Sequence, residues 1–200
     1  MAGMLLVISG PSGAGKSTVL NAVMRKRKNF FFSVSVTTRS PRPEEKDGRE
    51  YYFVSPEDFN IMREDGRLLE TGSFAGNWYG TPRDAVMKQI ARGETVVLDI
   101  ESSGAAQVKA NMPDSVLIFL TPGTEEEAER RLRGRGTEDE EAIQMRMAAS
   151  RREYIHIDQY RYIVVNDKLE DAVSAIEAII LAESARTHRN KGLFHKYRTP

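Results

Sequence analysis

The chain has 200 residues, and its 29 lysine and arginine residues balance 29 aspartate and glutamate residues. Nucleic-acid and membrane-surface binders usually carry a basic excess, so this balance argues against both classes of partner. The absence of cysteine excludes disulfides and thiolate metal sites, and it predicts a cytoplasmic protein. We expect no signal peptide before the first strand, and no apolar run approaches the ~20 residues of a membrane span.

Four short apolar runs predict strands that are buried on both faces. They are Met4–Ile8, Thr95–Ile100, Ser115–Leu120 and Tyr162–Val165. Stretches with helical periodicity separate them. Buried strands that alternate with helices are typical of a parallel sheet covered by helices. We therefore predict an α/β fold with a parallel sheet core.

A glycine-rich loop directly follows the first of these strands and leads into a helical pattern. Residues 10–17 fit Gly-x-x-x-x-Gly-Lys-Ser, and the strand–loop–helix context is the one that a P-loop, or Walker A motif, requires. Glycines at positive φ let backbone N–H groups cradle phosphates, while Lys16 supplies charge and Ser17 a hydroxyl for magnesium. An ordinary glycine turn is the alternative. The predicted phosphate-binding residues are Gly10, Ser12, Gly13, Ala14, Gly15, Lys16, Ser17 and Thr18.

Residues 30–79 have a different composition, rich in Ser, Thr, Arg, Tyr and Gly with short alternating runs. This pattern predicts a small β-rich insertion with one helix near Pro56–Glu64. Arg39 and Arg42 lie three apart in a proline-constrained turn. Because guanidinium groups bind phosphate oxygens bidentately, these arginines could bind a compact phosphate, although a solvated basic loop remains an alternative.

Several segments carry signals for helix starts. Ser55 and Thr81 each precede a proline, which predicts an N-cap followed by proline at the first helical position. Thr124 and Thr137 each have a glutamate three residues later, Glu127 and Glu140, as in a capping box. Between these last two helices, Arg133–Thr137 is a glycine-rich basic segment with the composition of a movable lid.

Beyond Ala185 the apolar periodicity fades into a basic segment. Termini often fray, so a loosely ordered tail is one interpretation. Packing of this tail against the rest of the protein is the other.

Together these motifs resemble those of the guanylate kinase family, in order and spacing, over about residues 4–183. The resemblance rests on the P-loop and on six further segments: Phe32–Arg42, Asp47–Tyr51, Gly76–Thr81, Leu98–Ile100, Gly134–Thr137 and Val165–Asp167. It implies a kinase that converts ATP and GMP, and by extension dGMP, to ADP and GDP with Mg²⁺. It also allows a homo-oligomer.

The resemblance further implies three parts. The P-loop core would comprise residues 1–34 and 83–185, with a lid at about 124–150 inside it. An inserted domain at residues 35–82 would bind GMP, and residues 186–200 would form a C-terminal tail.

The resemblance assigns a role to individual residues. The GMP phosphate would contact Arg39, Arg42, Tyr51 and Tyr79. The guanine would contact Ser35, Glu70, Thr81 and Glu101. Magnesium would contact Ser17 and Asp99. The groups that act on the transferred phosphoryl are Lys16, Arg39, Arg135 and Arg146, and Asn166 would lie beside the adenine.

The chemistry of the guanine ring agrees with these residue types. A carboxylate such as Glu70 can accept from both N1 and N2, and a hydroxyl such as Ser35 or Thr81 can donate to O6. Adenine would leave those groups unpaired. The sequence departs from the family pattern where Glu101 replaces aspartate and Ser103 replaces glutamine.

Two alternatives belong to other classes. Guanylate-kinase-like domains also serve as protein-binding modules without catalysis, usually with eroded P-loops. A P-loop kinase could also act on another small phosphorylated acceptor, such as a ribose phosphate. A P-loop alone occurs in switch GTPases, transporters and motor ATPases as well.

Overall fold

A computed structural model of the chain describes residues 3–134 and 139–192. In chain order its helices and strands are β1 (Met4–Ser9), α1 (Lys16–Lys26), β2 (Phe30–Phe32), β3 (Ser35–Thr37), β4 (Tyr51–Phe53), α2 (Pro56–Glu64), β5 (Leu68–Phe74), β6 (Asn77–Pro82), α3 (Arg83–Ala91), β7 (Thr95–Asp99), α4 (Ser102–Asn111), β8 (Val116–Thr121), α5 (Glu125–Arg133), α6 (Glu140–Glu153), a 3-10 helix (Tyr154–Gln159), β9 (Tyr162–Val165), α7 (Leu169–Ser184) and α8 (Thr187–Asn190).

The core is a five-stranded sheet in the order β2-β7-β1-β8-β9, and every pairing in it is parallel. This confirms the predicted α/β class and parallel sheet. The sequence predicted only four of these strands, because β2 was included in the insertion. β9 also differs from its prediction. It lies at the sheet edge with Ile163 and Val165 about half exposed, so it is not buried on both faces.

Helices cover both faces of this sheet. On one face, α1 and α7 pack on the strands through Val19, Leu20, Val173 and Ile176. On the other face, α3 and α4 contribute Val86, Ala105 and Val108, and Leu69 of β5 joins the same cluster. Because burial of large aliphatic side chains is the main source of stability, these two clusters fix the helices against the sheet.

A second sheet of four strands has the order β4-β3-β6-β5. Helix α2 covers it with Phe59, which is fully buried against Val36 and Leu68. The predicted helix at Pro56–Glu64 is confirmed. The limits of an inserted domain remain a prediction.

Helix α4 connects the two sheets through side-chain amides. Gln107 exchanges two hydrogen bonds with the backbone of Thr71 on β5, at 3.0 and 2.8 Å. Asn111 donates to the carbonyl of Leu69 at 2.8 Å. The middle and end of α4 are therefore held against strand β5, while its start follows the carboxyl end of β7.

The predicted helix caps are partly correct. Ser55 and Thr124 accept hydrogen bonds from the amides of Asp58 and Glu127, as an N-cap should. Thr81 is not a cap, because it belongs to β6 and its hydroxyl bonds to a side chain on β5. Thr137 lies outside the described residues, and α6 is capped by Asp139.

The predicted lid and tail are only partly described. Helices α5 and α6 pack together through Ala128, Leu132, Ile143 and Met147. Residues 135–138, which include Arg135 and the second lid glycine, lie outside the described part of the chain.

The tail is described as far as residue 192. Arg189 donates to the carbonyl of Asp114 at 2.8 Å, and its guanidinium lies 3.9 Å from Glu183. The first turn of the tail therefore packs on the core. Within the described ranges, the helices are too short or too polar to cross a membrane.

Candidate active site

The loop between β1 and α1 has the backbone that its sequence predicted. Gly10, Gly13 and Gly15 have φ values of 147°, 80° and 82°, which confirms positive φ at all three. A Cβ at Gly10 would lie 1.9 Å from the carbonyl oxygen of Leu120, and one at Gly13 would lie 2.6 Å from that of Ala128. Glycine is therefore required by both the conformation and the close approach of β8 and α5.

The start of α1 provides the polar groups of this loop. Lys16 begins the helix, and its Nζ donates to the carbonyl of Gly10 at 2.6 Å. Ser17 and Thr18 are exposed in the first turn. A helix N-terminus with free N–H groups and a lysine attracts anionic groups, so this end of α1 can bind phosphate.

Asn166 lies under the loop. Its side chain is buried and its Nδ2 donates to the carbonyl of Ala14 at 2.8 Å. Arg131 of α5 in turn donates to the carbonyl of Asn166 at 2.8 Å and to Glu127 at 2.6 Å. The residue expected beside the adenine therefore also supports the phosphate-binding loop.

A cavity of about 370 Å³ lies between the two sheets, near the carboxyl end of β7. It brings together most of the residues predicted to bind the second nucleotide. From that set, the residues that line it are Ser35, Arg39, Arg42, Tyr51, Glu70, Tyr79 and Glu101. Asp99, which was predicted to bind magnesium, also lines it.

The basic end of the cavity carries an acidic residue that the sequence analysis missed. Glu45 accepts from the guanidinium of Arg39 and from the backbone amide of Arg42, both at 2.8 Å. These hydrogen bonds lower the pKa of the Glu45 carboxyl. The guanidinium of Arg39 also lies 5.4 Å from the ring centre of Tyr51, which packs edge-on against Tyr79. An acidic residue three positions after Arg42, in the same turn, was the available signal for Glu45.

The opposite end of the cavity is built around the buried carboxyl group of Glu70. Thr81 donates to Glu70 Oε1 at 2.7 Å and is itself almost fully buried. Thr81 is not among the residues that line the cavity, so its hydroxyl orients Glu70. Gly104 leaves room for this carboxyl, because a Cβ at that position would lie 2.8 Å from Glu70 Oε2 and one of the two would have to shift.

Burial raises the pKa of three acidic residues of the cavity, which are Glu70, Asp99 and Glu101. Burial raises the pKa of Glu70, the hydrogen bond from Thr81 partly opposes that shift, and the charge of Glu101 adds to it. The pKa of Asp99 is also raised by burial, and the charge of Lys16 opposes the rise. For Glu101, burial and the neighbouring Glu153 raise the pKa, and Lys16 again opposes them.

The parallel register brings the two halves of the site together. Asp99 ends β7 and is paired with Ile8 of β1, one residue before the end of that strand. Because the carboxyl ends of parallel strands meet at one edge, Asp99 lies beside the loop that begins at Gly10. Asp99 lines the cavity as well, so the cavity lies next to the phosphate-binding loop.

The residues that could hold a magnesium ion have suitable chemistry. Magnesium usually takes one or two carboxylates with substrate phosphates and water. Asp99 supplies a carboxylate at the end of β7, and Ser17 supplies a hydroxyl in the first turn of α1. Among the described residues, no group of three or more His, Asp or Glu side chains could hold a metal by itself. Phosphate oxygens would therefore have to complete the coordination.

The structure describes one of the two predicted lid arginines. Arg146 lies on the exposed side of α6. Arg135 lies outside the described residues, and so the structure does not test its role.

Comparisons with known proteins agree with this geometry. The family model described as "Guanylate kinase" matches residues 2–183. The chain is 46% identical over 192 residues to a guanylate kinase of Desulfitobacterium hafniense, with 96% of each protein covered. It is 48% identical over 182 residues to one of Thermobifida fusca, covering 91% of this chain and 93% of that protein. A crystal structure of guanylate kinase from Anaplasma phagocytophilum superposes with a TM-score of 0.76 at 31% identity, over 100% of this chain and 97% of that one.

Proposed function

The chain belongs to the guanylate kinase family, and we propose that it transfers the terminal phosphoryl group of ATP to GMP between the two halves of this site. The loop after β1 is the donor site, and the cavity between the sheets is the acceptor site. One observation carries the proposal. A single cavity is lined by guanidinium groups, phenols and a buried carboxyl, and also by Asp99, whose strand pairs with β1 just before the phosphate-binding loop.

The base end of the cavity fits guanine. Glu70 as a carboxylate accepts from the N1 and N2 hydrogens, and Thr81 holds it in place through the 2.7 Å hydrogen bond. Ser35 can donate to O6, and Glu101 can contact the exocyclic amine. Adenine has an acceptor at N1 and a donor at the six position, so it would leave the buried carboxylate unpaired. Loss of such pairing lowers specificity by several powers of ten.

The phosphate end fits the monophosphate of GMP. Arg39 and Arg42 offer guanidinium groups, and Tyr51 and Tyr79 offer phenol donors. In this proposal the GMP phosphate replaces the Glu45 carboxylate as the acceptor of the hydrogen bond from Arg39. Glu45 keeps the guanidinium oriented until the phosphate binds.

The transfer step needs alignment and neutralisation of charge more than it needs a base. The GMP phosphate has a second pKa near 6, so an ionised oxygen is available at neutral pH. That oxygen attacks the terminal phosphorus of ATP, a new phosphorus–oxygen bond forms, the bond to the bridging oxygen breaks, and ADP leaves. Lys16, the amides of the loop and Arg146 stabilise the negative charge on the moving group.

Magnesium would be held by Ser17 and Asp99 together with phosphate oxygens, and when bound it neutralises phosphate charge. Burial raises the pKa of the Asp99 carboxyl and the charge of Lys16 opposes that rise, so a bound cation would favour the ionised form. Arg135 is proposed as the second arginine of the lid. A cytoplasmic location and activity on dGMP are part of the proposal.

The test is an assay of ADP formation with GMP, dGMP, AMP, UMP and CMP as separate acceptors. We expect turnover with GMP and dGMP, and activity lower by orders of magnitude with AMP. Turnover with AMP or UMP but not GMP would contradict the assignment. A protein that binds neither ATP nor GMP in calorimetry would instead support a protein-binding module.

A further inference from the structure

Helix α6 touches the phosphate-binding loop through one hydroxyl. Ser150 Oγ accepts a hydrogen bond from the backbone amide of Ser12 at 3.0 Å, and the Ser150 side chain is buried. Nothing in the sequence pattern of either segment predicted this contact, because 138 residues separate its two ends. A loop at the carboxyl end of the first strand is thus tied to the helix that carries Arg146.

The same helix also touches the wall of the acceptor cavity. One turn beyond Ser150, the carboxylate of Glu153 accepts from the amide of Ser102 at 3.0 Å and from its hydroxyl at 2.5 Å. Ser102 begins α4 and directly follows Glu101, which lines the cavity. Tyr160 donates to the same Ser102 hydroxyl at 3.1 Å. The contacts of Glu153 are partly buried and that of Tyr160 is buried, so a shift of α6 cannot leave them unchanged.

We infer that Ser150 is a positioning residue that couples the donor loop to the acceptor wall through α6. Its hydroxyl fixes the Ser12 peptide, which leads into Gly13 at a φ of 80°. Without an acceptor, the Ser12 amide would be an unpaired donor. The glycines around it would then let the loop adopt other conformations. The amides that bind phosphate would lose their preset orientation.

The position of Ser150 on the helix explains how the coupling works. Arg146 and Ser150 are four residues apart, so they are neighbours one turn from each other on α6, with Ser150 buried and Arg146 exposed. Glu153 continues past them towards α4. A movement of α6 therefore changes the lid arginine, the donor loop and the start of α4 together. This inference rests on the proposed function for the identity of the two ligands.

The substitutions that test it differ only in the hydroxyl. Ser150→Thr keeps an acceptor, and Ser150→Val has the same shape without one. A second cavity of about 310 Å³ is lined by Ser150 together with Ala128 and Met147, and it has room for the additional methyl groups. Ser150→Ala gives a further comparison in which no volume is added. Ser174→Ala is the control, since its hydroxyl bonds only to the carbonyl of Glu170 within α7.

The readout is calorimetric titration with Mg²⁺ and the non-hydrolysable β,γ-imido analogue of ATP, with and without saturating GMP. We expect Ser150→Val and Ser150→Ala to weaken binding of the analogue by about three- to ten-fold, the range for one lost hydrogen bond. Binding of GMP alone should change by less than about two-fold, which corresponds to about 0.4 kcal/mol. The factor by which GMP tightens analogue binding should shrink in both variants, and Ser150→Thr should behave as the unmodified protein.

Three results would overturn the inference. One is an unchanged affinity for the analogue in Ser150→Val and Ser150→Ala. Another is an equal loss for both ligands with a lower melting temperature, which is what a purely structural role predicts. The third is an unmodified protein in which GMP has no effect on analogue binding. A protein that binds the analogue but does not phosphorylate GMP would contradict the proposed function, and the analogue titrations would still decide the role of Ser150.

Discussion

At the scale of single residues, close packing rather than residue type explains much of the site. Glu70 is an acidic residue in a strand, where the hydroxyl of Thr81 donates to its carboxyl and the absence of a side chain at Gly104 leaves room for it. Similarly, Glu45 matters because it sits on the guanidinium of Arg39. Both residues derive their roles from the groups that contact them and not from their own type.

Removal of the Lys16 charge should abolish most of the phosphoryl transfer. We expect Lys16→Ala to lower kcat by at least ~100-fold, as loss of one preorganised charge-stabilising donor does in other enzymes. Steady-state assays with saturating ATP and GMP measure the change. Lys26→Ala is the matched control, because Lys26 lies on the same helix and pairs only with Glu177 at 3.3 Å. Comparable rates in the two variants would exclude the role proposed for Lys16.

The raised pKa of Glu70 predicts the pH dependence of GMP binding. Because burial favours the neutral acid, Glu70 stays protonated to higher pH than an ordinary glutamate. Guanine requires the carboxylate, so the affinity for GMP should rise as pH increases through that raised pKa. Titration calorimetry between about pH 4.5 and pH 8 spans the window above the usual glutamate value.

The GMP phosphate also ionises in this range, with a pKa near 6. Glu70→Gln is therefore the control. It should bind GMP more weakly at pH 8 and retain only the dependence that belongs to the phosphate. An identical pH profile for the two proteins would show that the ionisation of Glu70 does not govern binding.

At the scale of single elements, the caps and the edges of sheets were the least predictable features. Thr81-Pro82 and Ser55-Pro56 have the same local pattern, yet only Ser55 caps a helix. Thr81 instead belongs to β6, where its hydroxyl donates a hydrogen bond to Glu70. A buried partner for the hydroxyl outweighs a local cap of about 1 kcal/mol.

The cap of α2 should contribute measurably to stability. Ser55 accepts from the amide of Asp58 at 3.0 Å and donates to its carboxylate at 2.8 Å. Ser55→Ala should therefore lower the free energy of unfolding by about 1 kcal/mol. Urea denaturation of Ser55→Ala beside Ser174→Ala, which removes a hydroxyl from a helix interior, separates the cap from a general effect of the substitution. Equal changes in the two variants would mean that the cap contributes nothing specific.

At the scale of the whole molecule, the active site exists because two sheets meet. Helix α4 starts at the carboxyl end of β7 and is bonded along its length to β5. It therefore carries Glu101 and Gly104 to the carboxyl group of Glu70. The donor loop and the acceptor cavity share one edge of the core sheet, which is where ligands bind in open α/β proteins.

Binding of both nucleotides should bring the second sheet and the α5–α6 pair closer to the core. The residues proposed to bind the two nucleotides lie on separate parts of the fold. A pair of bound nucleotides therefore stabilises the arrangement in which all of these residues contact a nucleotide. We expect small-angle scattering to give a smaller radius of gyration with the ATP analogue and GMP together than with either alone. CMP in place of GMP is the control. Identical scattering profiles under all conditions would contradict closure.

The sequence by itself determined the donor half of this protein. The glycine loop, its lysine and the flanking strand and helix are local, so their backbone geometry and phosphate chemistry follow from neighbouring residues. The parallel sheet also followed, since buried strands that alternate with helices permit few arrangements. The family resemblance drawn from the combined motifs is confirmed by the relatives and by the similar crystal structure.

Tertiary structure alone decided the contacts between distant segments. β2 joins the core sheet as an edge, Thr81 orients Glu70, and Ser150 reaches the amide of Ser12. Each of these contacts pairs a backbone or side-chain polar group with a partner on another helix, strand or loop. Local propensity carries no information about that meeting, because a hydroxyl or a carboxylate has the same sequence pattern whether its partner is water, a helix end or a buried side chain.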